Sequence, residues 1–281
     1  MHGHGKGDIV KLIFLDIDGT LTPAGENDAP ESAVQAIHDA QKAGNKVFLC
    51  TGRNYNMLRP VLKYGFDGIV GSSGGYVTCA DEVLYDCPMT DTQRDTALES
   101  LHRNGVFCTI EARDGSWGDA DLGDFLKNQP EGNSEIERWR KALASNLGIR
   151  PMEEYDGSPV YKVVIMCLSM DQLDEARSLL EDQFEFCMQE IPAHGCVNGE
   201  LINRKFDKGK GVRKICEHLG VPVSDTVGFG DSMNDEAMIR TVGTSVCMGN
   251  GAESLKKIST MVCPPVTEDG IARAFDELHL R

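Results

Sequence analysis

A short apolar segment that ends in two carboxylates constrains this chain more than any other feature. Residues 12–15 (Leu-Ile-Phe-Leu) have the length and composition typical of a strand buried on both faces. Asp16 and Asp18 follow directly, two residues apart. Alternate residues of an extended chain point the same way, so the two carboxylates are predicted to lie side by side. Because like charges so close repel each other, the pair favours a bound metal cation.

The acidic segment is also compatible with a simpler structure. Asp and Gly are common turn residues, so the strand could end in an ordinary polar turn. An EF-hand calcium loop is excluded, since its sixth and twelfth positions need Gly and Glu where this chain has Leu21 and Asn27.

Strand and helix signals alternate in the N-terminal and C-terminal parts of the chain, whereas the region between them has another pattern. Apolar strand-like runs at residues 46–50, 68–71, 226–229 and 244–248 alternate with amphipathic helical patterns, one opened by Pro30 and another by Lys208. This alternation predicts an α/β fold with a doubly wound, Rossmann-like parallel sheet. The core is predicted to comprise residues 1–82 and 201–281.

The region between these segments has a different pattern. Strand-like runs at 106–110, 161–168 and 184–188 are interleaved with helical stretches around residues 97–101 and 136–147 and a possible short helix at 122–126. Two Ser-x-x-Glu/Gln capping boxes, at Ser134 and Ser169, are predicted to begin helices. We therefore predict an inserted α+β domain at residues 83–200.

Charge and cysteine usage limit the possible partners and compartment. With 28 Lys and Arg against 44 Asp and Glu, the net charge is -16, which argues against nucleic acid and anionic membranes as partners. The ten cysteines form no Cys-x-x-Cys pair and no apolar signal segment precedes the first strand, so we expect reduced thiols in a cytoplasmic protein. Five of them fall in apolar runs and are predicted to be core residues: Cys50, Cys108, Cys167, Cys187 and Cys247.

Polar residues follow several of the predicted strands. Thr51 follows the second strand, Asp231 and Asp235 follow a later one, and Lys208 opens a helix before that strand. Taken singly, each could be a helix cap or a solvated charge. Ligands of open parallel sheets bind beyond the carboxyl ends of the strands, however, so the joint placement of these residues predicts one site.

Four ordered motifs resemble those of the haloacid dehalogenase superfamily and, within it, the Cof-type phosphatases with a large α+β cap. The motifs are Asp16-Ile-Asp18-Gly-Thr, Thr51-Gly-Arg53, Lys208-Gly and Gly230-Asp231-Ser-Met-Asn234-Asp235. The resemblance extends from Lys11 almost to the C-terminus. The chain departs from the family at Ser73-Gly74-Gly75, where Asn-Gly-Ala or Asn-Gly-Gly is common.

The resemblance implies a Mg²⁺-dependent phosphatase acting on small phosphate monoesters, such as sugar or nucleotide-related phosphates, through an aspartyl phosphate. Asp16 would be the nucleophile and Asp18 the general acid and base. The implied catalytic residues are Asp16, Asp18, Thr51 and Lys208; the implied substrate-binding residues are Gly52, Arg53, Ser73, Gly74 and Asn234; the implied metal ligands are Asp16, Asp18, Asp231 and Asp235.

Two further functions remain open from the sequence. A phosphomutase would share the nucleophile and the metal but deliver the phosphoryl group to a sugar hydroxyl. A non-catalytic module would keep a phosphate site without turnover, and the completeness of the four motifs argues against it.

Overall fold

The computed structural model describes residues 10–120, 148–191 and 196–281. The strands in these ranges are β1 (Leu12–Leu15), β2 (Lys46–Cys50), β3 (Gly68–Gly71), β4 (Tyr76–Cys79), β5 (Glu82–Asp86), β6 (Phe107–Ala112), β7 (Ser116–Gly118), β8 (Ile149–Pro151), β9 (Val160–Cys167), β10 (Phe184–Ile191), β11 (Cys196–Asn203), β12 (Thr226–Gly230), β13 (Thr244–Cys247) and β14 (Met261–Val262). The helices are α1 (Glu31–Lys42), α2 (Tyr55–Leu62), α3 (Asp91–Arg103), α4 (Asp174–Leu180), α5 (Lys208–Leu219), α6 (Glu236–Thr241), α7 (Glu253–Ile258) and α8 (Gly270–Glu277).

The described residues form two compact units. Among them, the first comprises residues 10–53, 58–86 and 206–281, and the second comprises residues 54–57, 87–120, 148–191 and 196–205. The assignment of residues 83–200 as a cap domain stays a prediction.

An eight-stranded sheet organises the first unit, in the order β14-β13-β12-β1-β2-β3-β4-β5. Neighbours from β14 to β3 are parallel, whereas β4 and β5 pair antiparallel at one edge. The chain moves from β1 to β3 on one side and from β12 to β14 on the other, so the order reverses between β1 and β12. This confirms the doubly wound α/β class, while the β4–β5 hairpin was not predicted.

Strand β1 is buried along its whole length, because both faces of the sheet are covered. On one face, Phe14 of β1 stacks on Phe48 of β2 with ring centroids 5.2 Å apart, within a cluster that includes Ile215 of α5. Elsewhere on the sheet, Phe229 of β12 contacts Phe275 of α8 with centroids 5.4 Å apart. The apolar run therefore forms a strand that is buried on both faces, as predicted.

Helix ends also follow the local sequence. Pro30 precedes α1, and Asp207 caps α5 by accepting a hydrogen bond from the amide of Lys210 at 2.7 Å. Gly220 ends α5 in a left-handed conformation, with φ of 65°. The Ser169 capping box is confirmed, although it begins a 3-10 turn that continues into α4. The capping box at Ser134 and the helices predicted at 122–126 and 136–147 lie outside the described residues.

The second unit contains a six-stranded sheet in the order β10-β11-β9-β6-β7-β8. Its neighbours are antiparallel except for the parallel pair β7 and β8. Residues of α3 and α4, such as Leu101 and Leu180, are buried in its apolar core with Trp117. The predicted α+β character of this region is confirmed.

The prediction of five core cysteines is right for four of them. Cys50, Cys108, Cys167 and Cys247 are buried, but Cys187 is exposed. It lies on β10, which is the edge strand of its sheet and is covered less than the inner strands. Among the described residues, no helix has the length and apolarity needed to cross a bilayer.

Candidate active site

The end of β1 places Asp16 next to the end of β12. The amide of Asp16 donates a hydrogen bond to the carbonyl oxygen of Phe229 at 3.0 Å, which extends the parallel pairing by one residue. Asp231 comes two residues after Phe229. The two acidic loops therefore converge where the strand order reverses, which is the expected ligand position in a sheet of this class.

Lys208, the first residue of α5, lies between two carboxylates. Its Nζ donates to Oδ1 of Asp16 at 2.7 Å and to Oδ1 of Asp235 at 2.6 Å. All three side chains are buried. Burial by itself lowers the pKa of Lys208, but the two carboxylates raise it above its ordinary value, so the side chain remains charged.

Asp235 is held by the turn that contains it. This 3-10 turn, Met233–Asp235, follows β12, and Oδ2 of Asp235 accepts the amides of Asp231 at 3.0 Å and Ser232 at 3.2 Å. Its other oxygen accepts from Lys208, so both oxygens have fixed partners. Asn234 also reaches Lys208, with its Oδ1 3.3 Å from Nζ. The turn thus aims Lys208 at Asp16.

Three carboxylates form a cluster that could hold a cation. Asp16, Asp231 and Asp235 each offer one oxygen, and these oxygens lie within 4.8 Å of one another. Burial, together with repulsion from Asp235, raises the pKa of Asp16 to about 8 and that of Asp231 to about 7. A divalent cation would offset this repulsion, and an all-oxygen donor set is the one that Mg²⁺ prefers. The residues present therefore fit Mg²⁺.

Asp18 has a different partner from Asp16. Arg53, two residues after Thr51, donates from Nε to Oδ2 of Asp18 at 2.8 Å and from Nη2 to Oδ1 at 2.7 Å. This is the two-bond geometry that makes an Arg–carboxylate pair specific. The Arg53 side chain is only 11% exposed, while that of Asp18 is 31% exposed. Asp18 therefore lies at the rim of the site.

The loops after β2 and β3 bring the remaining predicted residues to this edge of the sheet. Thr51 is buried, and its hydroxyl oxygen accepts the amide of Arg53 at 3.1 Å. Gly52 lies between them. Ser73 and Gly74 form a 3-10 turn after β3, and the amide of Ser73 donates to the carbonyl oxygen of Thr51 at 3.0 Å. The first unit thus contains all the predicted site residues, whose roles stay predictions.

Sequence reasoning assigned no role to three side chains that support the site. The hydroxyl of Thr20 donates to Oδ1 of Asp231 at 3.4 Å, and Nη1 of Arg53 donates to Oδ1 of Asn27 at 3.1 Å. The amide group of Asn250 donates to the carbonyl oxygen of Gly19 at 2.8 Å, so the loop after β13 holds the Asp16 loop. Of these, Thr20 belongs to the Asp16-Ile-Asp18-Gly-Thr motif that resembles the family, which was the available signal.

Gly19 is required for the approach of two loops. Its φ is +81°, and a Cβ there would lie 2.4 Å from Oδ2 of Asp231. Glycine has no penalty in this left-handed conformation and leaves room for the carboxylate. The Gly after Asp18 is therefore explained by geometry at the site and not by turn preference alone.

Comparisons with known proteins agree with this architecture. The sequence model described as haloacid dehalogenase-like hydrolase matches residues 13–275. YkrA of Bacillus subtilis (strain 168) is 28% identical over 271 residues, covering 96% of this chain and 98% of that protein. The 5-amino-6-(5-phospho-D-ribitylamino)uracil phosphatase YwtE of the same organism is 25% identical over 284 residues, covering 96% and 98%.

A solved structure gives the same result for the fold. The structure of a hypothetical protein from Geobacillus kaustophilus HTA426 has a TM-score of 0.79 and 26% sequence identity, covering 97% of this chain and 100% of that one. The match extends over both units, so the second unit is part of the shared architecture.

Proposed function

Because this chain belongs to the haloacid dehalogenase-like hydrolase family and is a phosphoric monoester hydrolase, we propose that it hydrolyses small phosphorylated metabolites through an aspartyl phosphate on Asp16. Membership of a hydrolase family argues against the alternative of a non-catalytic phosphate-binding module. Transfer to a second sugar hydroxyl, as in a phosphomutase, is an outcome that the assay below can detect.

The observation that carries this proposal is the buried Lys208 between Asp16 and Asp235. A charged ammonium 2.7 Å from Oδ1 of Asp16 would lie beside any phosphoryl group that this carboxylate attacks. The developing negative charge would meet a cation already in place, in a site from which water is largely excluded. Asp235 acts as a positioning residue, because it fixes Lys208 and not the substrate.

The first step would be attack of a carboxylate oxygen of Asp16 on phosphorus. The P–O bond to the leaving group breaks as the O–P bond to Asp16 forms, which splits hydrolysis into two easier displacements. Asp18 would give its proton to the leaving oxygen. Lys208 and the hydroxyl of Thr51 would hold the phosphoryl oxygens during the transfer.

The second step would release phosphate. Asp18, now ionised, would take a proton from a water molecule that attacks phosphorus and breaks the bond to Asp16. Its bidentate pairing with Arg53 suits the ionised form needed here. We further propose that Gly52, Arg53, Ser73, Gly74 and Asn234 contact the substrate.

Asp16, Asp231 and the main-chain carbonyl of Asp18 would hold a Mg²⁺ ion, and Asp235 would orient the surrounding groups. When bound, Mg²⁺ supplies positive charge that neutralises the phosphoryl oxygens. Residues 83–200 are proposed as the cap that selects the leaving group. Since the name of YwtE includes a phosphorylated ribityl group, sugar and sugar-alcohol phosphates are the first substrates to test.

The experiment is a phosphate-release screen on phosphorylated metabolites with and without Mg²⁺, followed by two matched variants. Asp16→Asn should release no phosphate from any substrate and form no phosphoenzyme. Asp18→Asn should still transfer phosphate from p-nitrophenyl phosphate, because nitrophenolate leaves without protonation, but only slowly from a sugar phosphate. Rapid quench should then show a stoichiometric burst of nitrophenolate, with phosphate retained on Asp16 by mass spectrometry.

Contrary outcomes separate the parts of the proposal. Equal loss on both substrates with no burst would remove the acid–base role of Asp18. Phosphate release that persists in Asp16→Asn would remove the covalent mechanism. Turnover that needs a bisphosphate activator and yields an isomerised sugar phosphate would assign the chain as a mutase.

A further inference from the structure

Three side chains with three different metal-ligating atoms converge in the second unit. His102 lies in the last turn of α3, Cys108 lies on β6, and Asp119 directly follows β7. One ligand atom from each, a ring nitrogen, Sγ and a carboxylate oxygen, lie within 4.8 Å of one another. Ring Nε2 of His102 is 3.0 Å from Oδ2 of Asp119. The proposed hydrolysis uses none of them.

The fold fixes two of these residues against each other. Oδ2 of Asp119 accepts the amide of Cys108 at 2.7 Å, and the amide of Asp119 donates to the carbonyl oxygen of Cys108 at 3.0 Å. This double contact holds the carboxylate beside the thiol without help from a flexible side chain. A plain His–Asp ion pair at a helix end would explain His102 and Asp119, but it does not require a thiol within reach of both.

A cavity of about 320 Å³ adjoins the cluster. Its lining includes His102 and Asp119, and it also includes Glu153. Cys108 is fully buried, whereas the His102 side chain is 40% exposed, so solvent reaches the cluster from the side of His102. The cavity gives an ion a route to the cluster and leaves room for a water molecule as a further ligand.

The donor set separates this cluster from the acidic one in the first unit. Asp16, Asp231 and Asp235 offer only oxygen, which suits Mg²⁺. Imidazole nitrogen and thiolate sulfur instead suit borderline and soft cations, and Zn²⁺ commonly takes Cys, His and Asp in four-coordinate sites.

We propose that His102, Cys108 and Asp119 bind one Zn²⁺ ion. Binding replaces the S–H proton of Cys108 with the metal, and that proton passes to the buffer. The ion would tie the end of α3 to β6 and β7 and stabilise the second unit. It takes no part in phosphate transfer, so this proposal stands independently of the proposed function.

Co²⁺ is a suitable probe, because it occupies tetrahedral zinc sites and gives a thiolate-to-cobalt charge-transfer band. The full-length, metal-free protein is titrated with Co²⁺ under reducing conditions and in excess Mg²⁺, which occupies the acidic cluster. We expect the band to saturate at one equivalent and to disappear when Zn²⁺ is added. Cys108→Ala should abolish the band, and His102→Ala should weaken binding at least about 100-fold, since even outer contacts of a metal site are worth about 10- to 100-fold.

Two control variants keep the result specific. Cys187→Ala removes an exposed thiol of the second unit, and Asp16→Asn alters the acidic cluster; both should retain the band. His102 is partly exposed at a helix end, so His102→Ala is expected to fold even if Cys108→Ala does not, and circular dichroism checks each. A wild-type protein without the band, a band that survives Cys108→Ala, full affinity in His102→Ala, or a band lost in either control would overturn the proposal.

Discussion

Replacement of the nucleophile should abolish turnover and yet make the metal-free protein more stable. The physical reason is that Asp16 is a carboxylate buried near Asp235, and burial with this repulsion raises its pKa from 3.8 to about 8 despite Lys208. The folded state therefore binds more protons than the unfolded state between these two values, and stability falls as pH rises through this window. Asp16→Asn removes the charge while the amide oxygen can still accept from Lys208.

The size of the effect follows from the shift. At about 1.4 kcal/mol per pH unit, the raised pKa of Asp16 lowers the unfolding free energy by up to roughly 5 kcal/mol at pH 8.5, where the folded carboxyl is mostly ionised, but only by about 1–2 kcal/mol at pH 5, where it is protonated. The gain in unfolding free energy from Asp16→Asn should therefore grow with pH. At about 2–4 °C per kcal/mol, even half of the upper figure would raise the midpoint temperature by at least about 5 °C.

The assay is urea denaturation in EDTA, followed by far-ultraviolet circular dichroism. Tryptophan fluorescence would not report on this site, because both tryptophans, Trp117 and Trp139, belong to the region 83–200. Asp235→Asn is the matched control. Both carboxylate oxygens of Asp235 accept hydrogen bonds, one from Lys208 and the other from two backbone amides. In Asp235→Asn the side-chain NH₂ group would point at one of these donors, so the substitution should lower the unfolding free energy by about 3–5 kcal/mol.

Two results would contradict a destabilising effect of ionised Asp16. If Asp16→Asn were less stable than the wild type at pH 8.5 without metal, the attraction between Asp16 and Lys208 would outweigh the cost of burial. An equal gain at pH 5 and pH 8.5 would show that the ionisation of Asp16 is not the cause.

Three further predictions concern the same unit. Mg²⁺ should raise the unfolding temperature more at pH 8.5 than at pH 5.5, because it binds the ionised forms of Asp16 and Asp231, whose pKa values are about 8 and about 7; equal shifts in calorimetry would contradict this. Ca²⁺ should bind and inhibit, since it accepts more ligands and can engage both oxygens of Asp16, and full activity with Ca²⁺ as the sole metal would disprove it. Gly25→Ala should lower the unfolding free energy by roughly 1–3 kcal/mol through backbone strain alone, because no atom lies within 4 Å of a Cβ there. Gly74→Ala should lower it further, because a Cβ at Gly74 would lie 2.3 Å from a backbone oxygen. Equal losses of unfolding free energy in urea denaturation would count against that contact.

The sequence was informative wherever a local pattern determines a local structure. The apolar run of β1, the end of α5 at Gly220 and the capping box at Ser169 all follow from short-range preferences, and the structure contains them. The convergence of Asp16 and Asp231 was also predictable, because parallel strands place their carboxyl ends at one edge.

Features that depend on pairing between distant segments were not predictable in the same way. In the sequence, the segments that form the antiparallel β4–β5 hairpin are two short apolar runs, and nothing in them indicates whether they pair parallel or antiparallel. Cys187 lies in an apolar run like the buried cysteines, but its strand is at the edge of a sheet, so neighbouring strands decide its exposure. The contact of Asn250 with Gly19 joins residues 231 positions apart and has no local signature.

The two carboxylates at the end of β1 show why residue spacing alone does not assign their roles. Their spacing places Asp16 and Asp18 on the same loop, but two other segments, α5 and the loop after β2, give the two carboxylates different surroundings. Asp16 is 4% exposed and faces Lys208, which suits a nucleophile that must attack within a water-poor site. The Asp18 side chain is 31% exposed and meets Arg53, so it can exchange protons with a leaving group and with water. The proposed order of nucleophile and acid therefore follows from what α5 and the loop after β2 bring to each carboxylate: Lys208 beside the buried Asp16, and Arg53 beside the more exposed Asp18.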